Sequence, residues 1–156
     1  MDPITNVIAR EGPPTNDPVD RGGRTAFGIS ERANPEAWKD GKVTEEEARG
    51  IYEAKYVKGP RFDQVSDPHL QAQLIDFGVT SGPLVAIQKL QDILGVKPDG
   101  VLGPITLTAL AKAQVDTVNN ALVAARLRMI CRIVQKNPSQ VRFLYGWCDR
   151  ALQWMV

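Results

Sequence analysis

The stretch VIAREGPPTNDPVDRGGRTAFGIS, Val7 to Ser30, places three kinds of local order side by side. Ile4, Val7 and Ile8 recur at helical spacing, and Glu11 is the next position on the same face. Gly12-Pro13-Pro14 ends that helix, and Asn16 to Gly23 is rich in turn-forming residues. Thr25, Phe27 and Ile29 then alternate, which suggests a short strand. This order predicts a small β-hairpin lobe close to the N-terminus.

Outward from it the signals are helical. Asn34-Pro35 opens a short helix that Gly41 stops, and Thr44 with Glu47 forms a capping box for a helix carrying Ala48, Ile51, Tyr52 and Tyr56. Gly59-Pro60 breaks it. Asp67-Pro68 opens a helix to about Thr80, Pro83 opens one capped by Gly95, and Pro104 opens one to about Ala113. The longest pattern, roughly Asp116 to Lys136, has Leu122, Ala125, Met129 and Ile133 in register, and a last helix carries Val141, Leu144, Tyr145, Cys148 and Leu152. The fold class is therefore mainly α, with a long central helix expected to join two halves. One domain, 1–156, is expected, with a motif-bearing lobe over 1–60 and a helical lobe over 66–156.

Glu11 is the anomaly. A carboxylate on an apolar face is costly to bury ionised, and desolvation would raise its pKa and suit it to general-acid work. The plainer reading is a side chain that passes the helix end or pairs with an arginine. Asp20 and Thr25 flank Arg21-Gly22-Gly23-Arg24, a tight turn that would bring both side chains to the base of a hairpin. A carboxylate and a hydroxyl so placed can hold and polarise a water. With Glu11 as acid, that is the equipment of glycoside hydrolysis. Asp17 competes with Asp20, but Asn16-Asp17-Pro18 reads better as a turn initiator.

Composition bounds the rest. The 156 residues are 43% hydrophobic and 24% charged, with net charge +1. That is long enough for a core without staples and gives no global pull toward nucleic acid or membrane. No apolar run approaches the roughly 20 residues of a membrane span, and MDPITNVIAREG lacks the pattern of a signal peptide. Cys131 and Cys148 read as buried free thiols, and a lone His69 in a helical first turn reads as exposed; neither supports a metal site. No cofactor is implied, and a monomer is expected.

The stretch REGPPTNDPVDRGGRTAFGIS resembles the N-terminal motif of glycoside hydrolase family 108, phage-type N-acetylmuramidases with a lysozyme-like fold. LIDFGVTSGPLVAIQKLQDILGVKPDGVLGPITLTAL resembles the peptidoglycan-binding segment that accompanies it, and FLYGWCDR its ending. The order Glu, eight residues, Asp, short gap, Thr is similar to that of phage T4-type lysozymes. The resemblance implies Glu11 as catalytic acid, and Asp20 and Thr25 assisting the attacking water. It implies Asp76 at the cleft and Phe27 at a substrate-contact position where the family often has Tyr. Ala26 replaces a usual Asn, and Pro13 a usual Gly.

Tyr52, sharing a face with Tyr56, is a candidate sugar platform or a core residue. Arg150 is a candidate partner that orients Glu11, or a surface arginine. KPDGVLGPITLTAL, despite its likeness to short peptidoglycan-binding repeats, is too short to fold alone and should pack into the same domain.

The expected function is cleavage of the β-1,4 bond from N-acetylmuramic acid to N-acetylglucosamine in bacterial peptidoglycan. The expected setting is a phage endolysin made in the host cytoplasm and released to the periplasm through a holin pore. A lytic transglycosylase would need the acid without Asp20, and a non-catalytic wall-binding module would need neither.

Overall fold

The computed structural model describes residues 2–11 and 24–156. They form two compact units, Met1–Gly59 and Pro60–Val156, and the described residues are mainly α-helical.

In the first unit, α1 (Pro3–Glu11) buries Ile4, Val7 and Ile8, the apolar face read from spacing. Asp2 caps its start by accepting from the backbone N–H groups of Ile4 and Thr5, and its carboxylate also pairs with Arg49. α1 packs on α2 (Glu45–Glu53), which buries Ala48 and Tyr52. The Thr44–Glu47 capping box is fully formed. α2 continues as one π turn, Ala54–Lys58.

Between the two helices comes a hairpin of β1 (Thr25–Ala26) and β2 (Ile29–Ser30), antiparallel with Ala26 opposite Ile29. The continuous strand expected from alternation is therefore not formed. Phe27 and Gly28 are the two-residue turn, with φ of 52° and 77°. Positive φ at both positions is the type I′ pattern that matches strand twist. Gly28 tolerates it, whereas Phe27 sits where bulky residues are uncommon. Arg24 closes the open end: its guanidinium pairs with Glu31 at 2.8 Å and lies over the Trp38 ring. Trp38 in turn donates to the Ile29 carbonyl. The turn expected at Gly22-Gly23 lies outside the described residues.

The second unit is built on α3 (Pro68–Ser81), which is buried nearly all round from Gln73 to Gly78. It packs against α4 (Pro83–Leu94) and α6 (Val115–Lys136). α5 (Pro104–Ala111) packs on α4, and α7 (Val141–Leu152) on α6. The long helix is present as expected, and its residues belong to this unit. The loop before α5 is pinned by the buried Gln91, whose amide donates to Asp99, Val101 and Thr106 and accepts from the Gly100 N–H.

Both cysteines are free, but Cys131 is exposed where burial was expected, because it faces away from the buried stripe of α6. His69 is half-buried instead of exposed: its ring packs edge-on against Trp154, with Nε2 3.0 Å from the Trp154 carbonyl. No described helix is long and apolar enough to cross a membrane.

Candidate active site

Glu11 is the last residue of α1, and it is exposed. The expected burial is absent because the apolar face stops at Ile8, one turn earlier. Its aliphatic stem is nevertheless closely packed. A Cβ placed on Gly28 would lie 2.9 Å from Glu11 Cγ and 3.2 Å from Cδ, and would collide with Tyr52 Oη. The missing side chain of Gly28 is thus what lets the hairpin turn, the acid and the Tyr52 hydroxyl come together.

Tyr52 is buried, and its hydroxyl donates to the Phe27 carbonyl at 3.2 Å. Burial, then the nearby Glu11 charge, then Tyr56 push its phenol up to about 12. It remains a neutral donor and ties α2 to the strained residue of the turn. Tyr52 stacks on Tyr56 at 5.7 Å, and Lys55 Nζ lies 5.2 Å from the Tyr56 ring centre. The structure thus gathers Glu11, Phe27 and Tyr52. Thr25 opens β1, half-buried and paired with Ser30. Asp20 lies outside the described residues.

The second unit holds the other two named residues, and it joins them to each other. Asp76 is 4% exposed. Its Oδ1 accepts from Arg150 Nε and Nη2 at 2.9 and 2.7 Å, and its Oδ2 accepts from Arg126 Nη1 at 2.8 Å and Trp154 Nε1 at 3.2 Å. Burial pushes the carboxyl up, but the hydrogen bonds and charges of the two arginines outweigh it and hold it below the usual carboxylate range. The backbone carbonyl of Asp76 accepts from Thr80 Oγ1, which itself accepts from Arg126 Nη2. Asp76 is therefore the hub of a buried ion-pair cluster, and Arg150 is bound to it through two donors.

Arg126 and Gly28 escaped the sequence reading. Arg126 had a usable signal, a charge in register with Leu122, Met129 and Ile133, the same anomaly that marked Glu11. Gly28 had its place in the Gly-Ile-Ser end of the family-like motif, which says nothing of its packing against Glu11 and Tyr52. Among the described residues no cluster of His, Cys, Asp and Glu is able to hold a metal.

Comparison with known proteins places the chain in a family. Residues 4–82 match the family Glycosyl hydrolase 108, and residues 85–152 match a family described as "Predicted Peptidoglycan domain". Among solved structures, SagA of Brucella abortus is similar, at 31% identity and a TM-score of 0.75, over 97% of this chain and 88% of that one. None of the curated proteins matches the sequence.

Proposed function

This chain belongs to the glycosyl hydrolase 108 family, and from that premise we propose how its residues cut peptidoglycan. It is a lysozyme-like glycoside hydrolase, an N-acetylmuramidase, with a peptidoglycan-binding segment of its own. Glu11 donates its proton to the glycosidic oxygen as the bond to the muramic acid C1 breaks. Asp20, helped by Thr25, takes a proton from a water that attacks C1 from the opposite face. One proton enters through Glu11, one leaves to Asp20, and the product has a free reducing end. Phe27 and Tyr52 form the wall beside Glu11. The observation that carries the reading is Glu11 at the end of α1, packed against the Gly28 turn and beside Tyr52.

A water between the two carboxyls requires a separation of roughly 6.5–9.5 Å and gives inversion; a double displacement would bring them to about 5–5.5 Å. Mass spectrometry of digested peptidoglycan tests the chemistry. Free reducing ends are expected, whereas 1,6-anhydro ends would mean transglycosylation. NMR of the fresh anomer tests the route, since an initial β-product would rule out single displacement. Glu11→Gln should lower the rate by about 10²–10⁴-fold. Near wild-type digestion by that variant would remove Glu11 from the mechanism. Asp20→Ala should be severely impaired, and Thr25→Ala less so.

The biological setting we propose is host lysis by a monomeric phage enzyme that reaches the periplasm through a holin pore. A hydrolase with its own wall-binding segment suits bulk wall degradation. Induced expression in a Gram-negative host should lyse cells only when a membrane pore is co-expressed.

A further inference from the structure

A pocket of about 220 Å³ opens in the second unit between the C-terminal end of α3, α6 and α7. Its lining combines the apolar Met129, Ile130, Ile133 and Trp147 with the polar Thr80, Ser81, Arg126 and Arg150. Two guanidiniums line it, and among the described residues no carboxylate does. Arg150 is 21% exposed and directs Nε and Nη2 to Asp76, while its Nη1 donates to none of the described residues. The Asp76 cluster fixes the planes of both guanidiniums without filling the pocket. Trp147 is held in place by stacking on Phe143 at 5.5 Å.

The volume is below the roughly 300–1,000 Å³ of sites for drug-sized ligands, so a disaccharide does not fit inside. What fits is a small aliphatic group bearing one anionic end. A guanidinium fork recognises a carboxylate in two-point geometry, and the methionine, isoleucine and tryptophan side chains suit methyl groups. In peptidoglycan that combination belongs to the peptide stem, whose D-alanyl end carries a methyl and a free carboxylate. We propose that this pocket is a peptide-stem subsite, in which Arg150 binds the terminal D-alanyl carboxylate and Met129, Ile133 and Trp147 enclose its methyl group. The assignment rests on peptidoglycan being the substrate. It is supported by the match of residues 85–152, which include all six pocket residues from Arg126 to Arg150, to the peptidoglycan-domain family.

The test is an NMR titration of the full-length, ¹⁵N-labelled protein, following the Trp147 indole N–H, assigned with Trp147→Phe. The probes are diacetylated Lys-D-Ala-D-Ala, its C-terminal amide and peptide-free chitotetraose. The acid tripeptide should shift Trp147, and the amide should bind at least about tenfold more weakly, the loss of a charge-assisted contact. An unmoved Trp147, equal binding of acid and amide, or a shift with chitotetraose alone would each overturn the proposal, the last by making the pocket a sugar site. Met129→Trp fills the pocket while keeping Asp76, Arg126 and Arg150 themselves unchanged, and should weaken the tripeptide about tenfold; retained affinity in a folded variant would count against the assignment. Digestion of purified walls by the same sample reports on the hydrolase separately. A preparation that cuts walls but ignores the tripeptide loses only the subsite.

Discussion

Gly28 is the residue on which the proposed catalytic arrangement turns. At φ of 77° an L-residue is strained by about 1–2 kcal/mol, and a methyl there would also strike Tyr52 Oη and crowd Glu11. Gly28→Ala is therefore expected to cost more activity than stability, since relief requires moving the acid or the tyrosine. Wall digestion and thermal melting of one sample would separate the two; a variant of full activity would remove the packing argument. Tyr52 has its own signature. With its phenol pushed up to about 12, Tyr52 should give a step near that pH in an alkaline absorbance titration, and Tyr52→Phe should abolish that step. The same change removes the hydrogen bond to Phe27, at about 1 kcal/mol.

At the level of elements, α3 and α2 show how differently a helix can be held. α2 is amphipathic and closed at its start by Thr44 and Glu47. Thr44→Ala should lower stability by about 1 kcal/mol with little effect on activity, read by chemical denaturation. α3 is buried on nearly every side, so its one acidic residue has to be neutralised internally, and α6 and α7 each supply an arginine. Asp76→Asn would leave two guanidiniums facing a neutral amide. A loss of about 3–5 kcal/mol is expected, the usual cost of breaking a buried pair. A loss under 1 kcal/mol in the same denaturation experiment would mean that the cluster does not hold α3, α6 and α7 together.

For the molecule as a whole, that cluster predicts an acid limit. The Asp76 carboxyl is lower in the folded state than its ordinary value, so the unfolded chain binds the proton more readily. Its contribution is fully present above the unfolded value of about 4 and is lost as pH falls through the lower folded value. Asp2, Asp99 and Glu31 are shifted in the same direction: at Asp2 burial is outweighed by hydrogen bonds led by Arg49, Asp99 accepts from the Val101 N–H and Gln91, and Glu31 pairs with Arg24. Melting temperature should therefore be flat from neutral pH to about 5 and drop steeply below 4. The fall should be shallower in Asp76→Asn, where the main titrating contribution is already gone. An equally steep fall in that variant would place the acid limit elsewhere.

Local signals determined where the helices lie. The Pro68, Pro83 and Pro104 starts, the Thr44–Glu47 box and the Gly95 end are written in adjacent residues, because capping and proline geometry act over one turn. The hairpin lobe and Glu11 as a charged break in an apolar face were legible for the same reason. The location of the hairpin turn was not: alternation reads Thr25 to Ile29 as one strand, whereas Phe27 and Gly28 turn with positive φ and the Phe27 carbonyl accepts from Tyr52 on α2. Likewise Asp76 and Arg150 are both visible in the sequence, but their partners are not. Fifty residues separate Asp76 from Arg126 and 74 from Arg150, and which charge neutralises which is decided by the packing of α3 against α6 and α7. Sequence spacing specifies the face of one element; tertiary packing specifies what that face meets.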